Sequence, residues 1–191
     1  RPSAGRVRFK ERDIAGLGIG RTFQNLALFG TMSVLDNVMV GAHSRTSSGF
    51  LACALRVPSV GREEAAQREA ALQAIRFMSL ESVAHLPAAG LPFATLKRVE
   101  AARALAAKPK LLLMDEPAGG LNHEEVSTLV GLIRTIRDRL GITILLVEHH
   151  MSLVMEVSDK VVVLDFGKRI AEGTPAEVQR NPDVIKAYLG E

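Results

Sequence analysis

Two apolar runs that each end in acidic residues, with one amphipathic helix between them, constrain this chain more than any other feature. Residues 111–114, LLLM, lead directly into Asp115 and Glu116, then into Pro117 and a glycine pair. An unbroken apolar run ended by turn formers is the pattern of a strand buried on both faces of a parallel sheet. Asn122 is placed to cap a helix, with Glu125 at capping-box distance. Val126, Leu129, Val130, Ile133, Ile136 and Leu140 follow at helical spacing, and Gly141 is a helix stop. A second apolar run, residues 142–147, ends in Glu148, His149 and His150. Strand-helix-strand crossovers are parallel and right-handed almost without exception, so both strands should end at one edge. Ligands bind at that edge in open α/β sheets, and Asp115, Glu116, Glu148 and His149 are expected to gather there.

Composition narrows the function classes. A chain of 191 residues can bury one substantial core, or a core plus a small subdomain. No apolar run approaches the ~18 residues that span a bilayer, so any membrane role must run through a partner. The single cysteine, Cys53, excludes an intrachain disulfide and fits a reducing compartment. The net charge of +3 is spread among interspersed acids and bases, which gives no case for nucleic acid. His149 and His150 are adjacent at a strand end, point in opposite directions and have no third ligand at suitable spacing, so no zinc site is expected. The chain opens on Arg1 without a signal-peptide pattern, and the expectation is that the amino-terminal part of a longer protein is missing.

The rest of the chain supplies further elements. Residues 6–9 alternate as in a short half-exposed strand. Residues 15–22, AGLGIGRT, approximate a phosphate loop, but Ala15 replaces its first glycine, Arg21 its lysine, and no buried strand precedes it. A working phosphate loop is therefore not expected there. Gln24 follows on a loop. Ser33 is placed to cap a short helix to about residue 40, residues 41–61 read as a loop-rich insertion, and residues 62–78 as a surface helix with Ala66, Ala70, Leu72 and Ile75 on its apolar side. Pro92 and Thr95 mark the start of an alanine-rich helix ending near Pro109. Its amino terminus suits a phosphate and equally suits plain packing. Residues 161–164 form a strand that turns at Asp165, Phe166 and Gly167 into a hairpin. This DFG string lacks the other kinase motifs. Thr174 with Glu177, and Asn181 with Pro182, begin two short helices.

The ordered set RTFQN, LPFATLKRVEAARAL, LLLMDEPAGGLN and LLVEHHM resembles the ATP-binding subunit of ABC transporters, most closely the branched-chain (hydrophobic) amino acid import branch. The resemblance implies an α/β fold with a P-loop NTPase-like parallel sheet core and a helical subdomain, truncated at the amino end. It divides the chain into a core piece carrying Gln24 (1–30), the helical subdomain (31–90), a section with signature helix, acids and switch strand (91–172) and terminal helices (173–191). By the same resemblance, Asp115 helps to hold Mg²⁺ and Glu116 orients or activates the attacking water of ATP hydrolysis. His149 corresponds to the switch histidine at the γ-phosphate, and Gln24 to the glutamine that senses Mg²⁺ and water. Gly119, Gly120, Leu121 and Asn122 match the D-loop. Leu91, Pro92, Phe93, Ala94 and Thr95 match the signature that closes over ATP bound to the opposite subunit. The implied partners are membrane-spanning permease subunits, a second ATP-binding subunit and, indirectly, a substrate-binding protein, with no nucleic acid. The implied location is cytoplasmic, peripheral on the inner face of the plasma membrane.

Departures accompany the resemblance. The chain has no Walker A loop, so ATP binding by these residues alone is expected to be poor. Residues 14–18 are shorter than usual for the family. Pro92 stands at a serine position of the signature and Ala94 at a glycine position, where it fits only with negative φ. His150 stands where aspartate is usual. Two alternatives remain: a non-hydrolysing regulatory or structural relic of the fold, and a soluble ABC-type ATPase outside transport.

Overall fold

A computed structural model describes residues 16–22, 26–43 and 58–189. The expected strand at residues 6–9, Gln24 and Cys53 lie outside the described residues. The chain divides into two compact units, residues 1–117 with 142–145 and residues 118–141 with 146–191.

In the first unit, β1 (Ile19–Arg21), β2 (Leu111–Asp115) and the part of β3 (Thr143–Val147) up to Leu145 lie side by side in that order. β1 is parallel to β2, with Ile19 opposite Leu111 and Arg21 opposite Leu113. The glycine-rich stretch is thus partly a strand and not a loop. Its strand character is hidden in sequence because Gly20 is needed for close approach: a Cβ there would sit 3.2 Å from the Pro109 ring. The expectation of strands buried on both faces needs correction. Leu112 and Met114 are buried while Leu111 and Leu113 are only partly so, and Leu145 and Val147 of β3 are each 57% exposed. Each strand therefore buries one face at most among the described residues.

Three helices complete this unit: α1 (Val34–Ala42), α2 (Pro58–Phe77) and α3 (Phe93–Ala106). The first-turn amides of α1 are all satisfied, as a helix start requires. Val34 and Leu35 donate to the Leu86 and Ala84 carbonyls, Asp36 to the Ser33 hydroxyl and Asn37 to the Ser33 carbonyl. α2 begins earlier than the sequence suggests, inside the stretch read as an insertion, and its buried stripe matches the expected one only in part. Ala71, Ala74, Ile75 and Met78 are buried while Ala66 is exposed. The many alanines and scattered charges of this helix leave its apolar stripe poorly marked: of the expected positions Ile75 is buried, Ala70 and Leu72 are half-buried and Ala66 is exposed. α1 and α3 cross in near backbone contact: a Cβ on Gly41 would come within 1.9 Å of the Arg103 carbonyl oxygen.

In the second unit, α4 (His123–Leu140) carries the expected capping box, with Asn122 and Glu125 exchanging backbone hydrogen bonds, and Gly141 closes it at φ 63°. Val126, Val130, Ile133 and Ile136 are buried, but Leu140, expected on the same face, is exposed in the final turn. α5 (Met151–Val157) is followed by the hairpin of β4 (Val161–Asp165) and β5 (Lys168–Gly173). Phe166 and Gly167 both have positive φ, as a two-residue type I′ turn demands. α6 (Pro175–Gln179), capped by Thr174 and Glu177, and α7 (Pro182–Leu189) end the unit. Its core gathers Val161, Val163, Ala171, Val178 and Val184, with Met151, Val154 and Met155 against it.

Candidate functional site

β2 delivers Asp115 and Glu116 at its carboxyl end. Arg21, on the neighbouring β1, donates to an Asp115 carboxylate oxygen at 3.1 Å, and both side chains remain partly exposed. An ion pair so placed stabilises by at most about 1 kcal/mol, and it yields readily to a competing cation. Thr22, the next residue, ties its amide to the Leu113 carbonyl at 2.9 Å. Its hydroxyl oxygen is buried with no hydrogen-bond partner among the described residues. Glu116 has φ 44°, in the left-handed region that costs a non-glycine residue about 1–2 kcal/mol. Such strain persists where the surroundings over-determine it, and it concentrates at functional positions. Pro117 follows, buried, and ends the first segment of the unit.

The segment after Gln24 is fastened to the helices. Asn37, fully buried in α1, accepts from the Phe29 amide at 2.8 Å and donates to the carbonyls of Phe29, Met32 and Ser33 at 3.0–3.3 Å. Arg103 of α3 donates to the Ala27 carbonyl. Burial holds the Arg103 guanidinium below its usual pKa, and the neighbouring Glu100 carboxylate partly opposes this. α3 also carries the signature stretch. Leu91 and Pro92 precede it, with Pro92 at the cap position without a side-chain cap, and Phe93, Ala94 and Thr95 form its first turn. Ala94 is right-handed helical, which meets the condition for its replacing glycine. The Lys97 ammonium lies over the Phe93 ring, 5.4 Å from its centre.

The second unit contains the remaining groups. Gly119, Gly120, Leu121 and Asn122 form the turn before α4, with Gly120 at φ 79° and the Leu121 amide donating to the Ala118 carbonyl. His149 is exposed, its ring Nδ1 3.7 Å from a Glu148 oxygen. His150 occupies the cap of α5, with Nδ1 3.0 Å from the Ser152 hydroxyl. Glu148 differs from both. Its side chain has no solvent exposure. One oxygen accepts from the Ala118 amide at 2.9 Å, the other from the His149 and His150 amides at 2.8 and 3.0 Å.

Asp115 and Glu116 thus belong to the first unit, and Glu148 and His149 to the second. Sequence reasoning weighed Arg21 only as a failed lysine and did not single out Thr22, Asn37 or Arg103. No short pattern marks them, since their partners are backbone atoms or lie far along the chain. Among the described residues no three His, Cys, Asp or Glu side chains come together as metal ligands. Mg²⁺ beside a nucleotide takes one or two carboxylates and fills its shell with phosphate oxygens and water. Asp115, a hard oxygen donor with partial exposure, fits it.

Comparison with known proteins places the chain in a family. Residues 1–119 match the model of the ABC transporter family, and residues 168–191 that of the branched-chain amino acid ATP-binding cassette transporter. The fold is similar to the ADP conformation of MJ1267, an ATP-binding cassette of an ABC transporter, with TM-score 0.78 and 28% identity over 96% of this chain and 72% of that one. The chain belongs to the ABC transporter family, as an ATP-binding, ATP-hydrolysing subunit. Within it, the chain is 39% identical to BraF of Pseudomonas aeruginosa, covering all of this chain and 78% of that protein. It is 36% identical to LivG of Escherichia coli K12 at the same coverage. Both of these are named high-affinity branched-chain amino acid transport ATP-binding proteins. No described helix is long and apolar enough to cross a membrane.

Proposed function

We propose that this chain energises the import of branched-chain amino acids as the ATP-binding subunit of an ABC transporter, docked on membrane-spanning permease subunits at the inner face of the membrane. The observation that carries this is similarity along the whole chain to BraF and LivG, together with two acids delivered at a strand's carboxyl end. In this reading Glu116 orients the attacking water and takes up its proton, and His149 donates a hydrogen bond to the γ-phosphate. Asp115 holds Mg²⁺ with help from Gln24. When bound, the ion neutralises charge on the phosphate oxygens. Leu91, Pro92, Phe93, Ala94 and Thr95 face the nucleotide of a second ATP-binding subunit, and Gly119, Gly120, Leu121 and Asn122 serve as the D-loop. Catalysis here is positioning and electrostatics, which suits polar side chains on strand ends and helix starts.

Residues 31–90 serve as the helical subdomain that meets the permease. Supporting this is a shallow cavity of about 350 Å³ on the first unit, lined by Met32, Asp36, Met39, Val40, His43 and Gln67. Methionine-rich surfaces adapt to apolar partners.

The test is ATP hydrolysis by the reconstituted transporter with its binding protein, titrated with leucine, isoleucine and valine, and separately with methionine and a sugar. Stimulation by the branched-chain acids is expected. Stimulation only by an unrelated solute would overturn the substrate assignment.

A further inference from the structure

We infer that Glu148 is a positioning residue for hydrolysis: its buried carboxylate latches the loop that begins at Ala118 to the turn that presents His149. The inference rests on the reading of Glu116 and His149 as the groups that act on ATP.

A carboxylate without solvent exposure costs several kcal/mol unless hydrogen bonds replace its water. Here the replacement is complete at both oxygens, and every donor is backbone. Ala118 lies just beyond Glu116 and Pro117 in the chain, and the other two donors are His149 and His150 themselves. The latch therefore spans 30 residues of sequence. It joins the first residue after Glu116-Pro117 to the residue bearing the exposed imidazole. Hydrogen bonds to an ionised acceptor are roughly twice as strong as neutral ones.

The chemistry selects glutamate narrowly. A carboxylate accepts at both oxygens at once, whereas glutamine has one acceptor oxygen and presents N–H groups on the other side. Glutamine would keep one end of the latch and set donor against donor at the other. Aspartate is one methylene shorter and cannot span both ends. The Glu148 side chain has no solvent exposure and each of its three hydrogen bonds comes from a backbone amide, with the His149 ring Nδ1 3.7 Å away, so it acts through the segments it holds and not on substrate. Its contribution lies in holding two segments in one arrangement, so that loop and turn move together.

The experiment uses the intact transporter with Glu148→Gln, beside wild type and Glu116→Gln. Two readouts are taken: the kcat and KM for ATP, and amide hydrogen exchange at Ala118, His149 and His150. Glu148→Gln is expected to lower kcat by between about tenfold and a hundredfold, the range that small misplacement of reacting groups produces, with KM within about twofold. Exchange should accelerate at one end of the latch. Should Glu148→Gln fail to assemble, the wild-type protein still decides. The three amides then open as one unit with a common protection factor, and protection differing more than about tenfold between Ala118 and His149 would overturn the latch. A wild-type kcat in Glu148→Gln, with Glu116→Gln inactive, would overturn this inference alone. Persistent hydrolysis in Glu116→Gln would overturn the functional reading beneath it, and this inference with it.

Discussion

The end of β2 and the end of β3 read alike in sequence, each an apolar run closed by acids, yet they are held in opposite ways. At the end of β2, Asp115 stays partly exposed and meets only an exposed arginine, while Glu116 sits on a strained left-handed backbone. At the end of β3, Glu148 is sealed and saturated with backbone donors, and the exposed group is the next residue, His149. An acid left partly accessible in an exposed ion pair, as Asp115 is, is available for chemistry. An acid buried and fully paired is scaffold, and the difference lies in the donors around it and not in the residue.

This contrast can be strained from the first unit. Asn37 is the neutral counterpart of Glu148, a buried side chain that satisfies a loop's backbone. Replacing it by alanine strands the Phe29 amide and should lower stability by about 2–3 kcal/mol, read from chemical denaturation. A loss below about 0.5 kcal/mol would mean that buried amide anchors matter little here.

Asn122→Ala removes the capping box of α4 in the second unit. A cost of about 1 kcal/mol is expected by the same measurement. No cost would show that the turn before α4 is held by other contacts.

Arg21→Ala sharpens the comparison by its smallness. The exposed pair with Asp115 should contribute less than about 1 kcal/mol, and that contribution should shrink further in high salt. A loss of several kcal/mol would place Asp115 with the scaffold acids and contradict the account.

The smallest effect concerns pH. Backbone and side-chain hydrogen bonds from Thr174 hold the Glu177 carboxylate below its ordinary value of 4.5. A lowered folded-state pKa gives stability that is complete above the ordinary value and is lost as pH falls through the lowered one. Thr174→Ala keeps the amide that lowers the Glu177 pKa most and removes only the hydroxyl, so it should flatten part of the acid side of the stability profile below about pH 4.5 and leave the neutral side changed only by the lost cap. An unchanged acid slope would contradict this assignment.

Much of the fold was legible because its signals are local. Ser33, Asn122, Gly141 and Thr174 cap helices as their spacing suggests, and Phe166-Gly167 turns the hairpin. β1 escaped notice because glycines serve there for close approach rather than for a turn. The face of α2 was legible only in part, at Ile75, because alanine fits either side of a helix. In the candidate site, residue types and order single out Asp115, Glu116 and His149 as candidates, while the hydrogen bonds of Glu148 were invisible. Its partners are main-chain amides, which carry no residue identity. Asn37 and Arg103 escaped for the same reason, since both bond to carbonyls at distances no short motif covers.

The most direct test is Mg²⁺-dependent ATP hydrolysis by the intact transporter carrying Glu116→Gln, with nucleotide binding followed in parallel. The account predicts that binding persists while turnover falls by at least about a hundredfold, as loss of a group acting on the attacking water should cause. Turnover within a few-fold of wild type would contradict it, and would move the acid that follows β2 out of the chemistry.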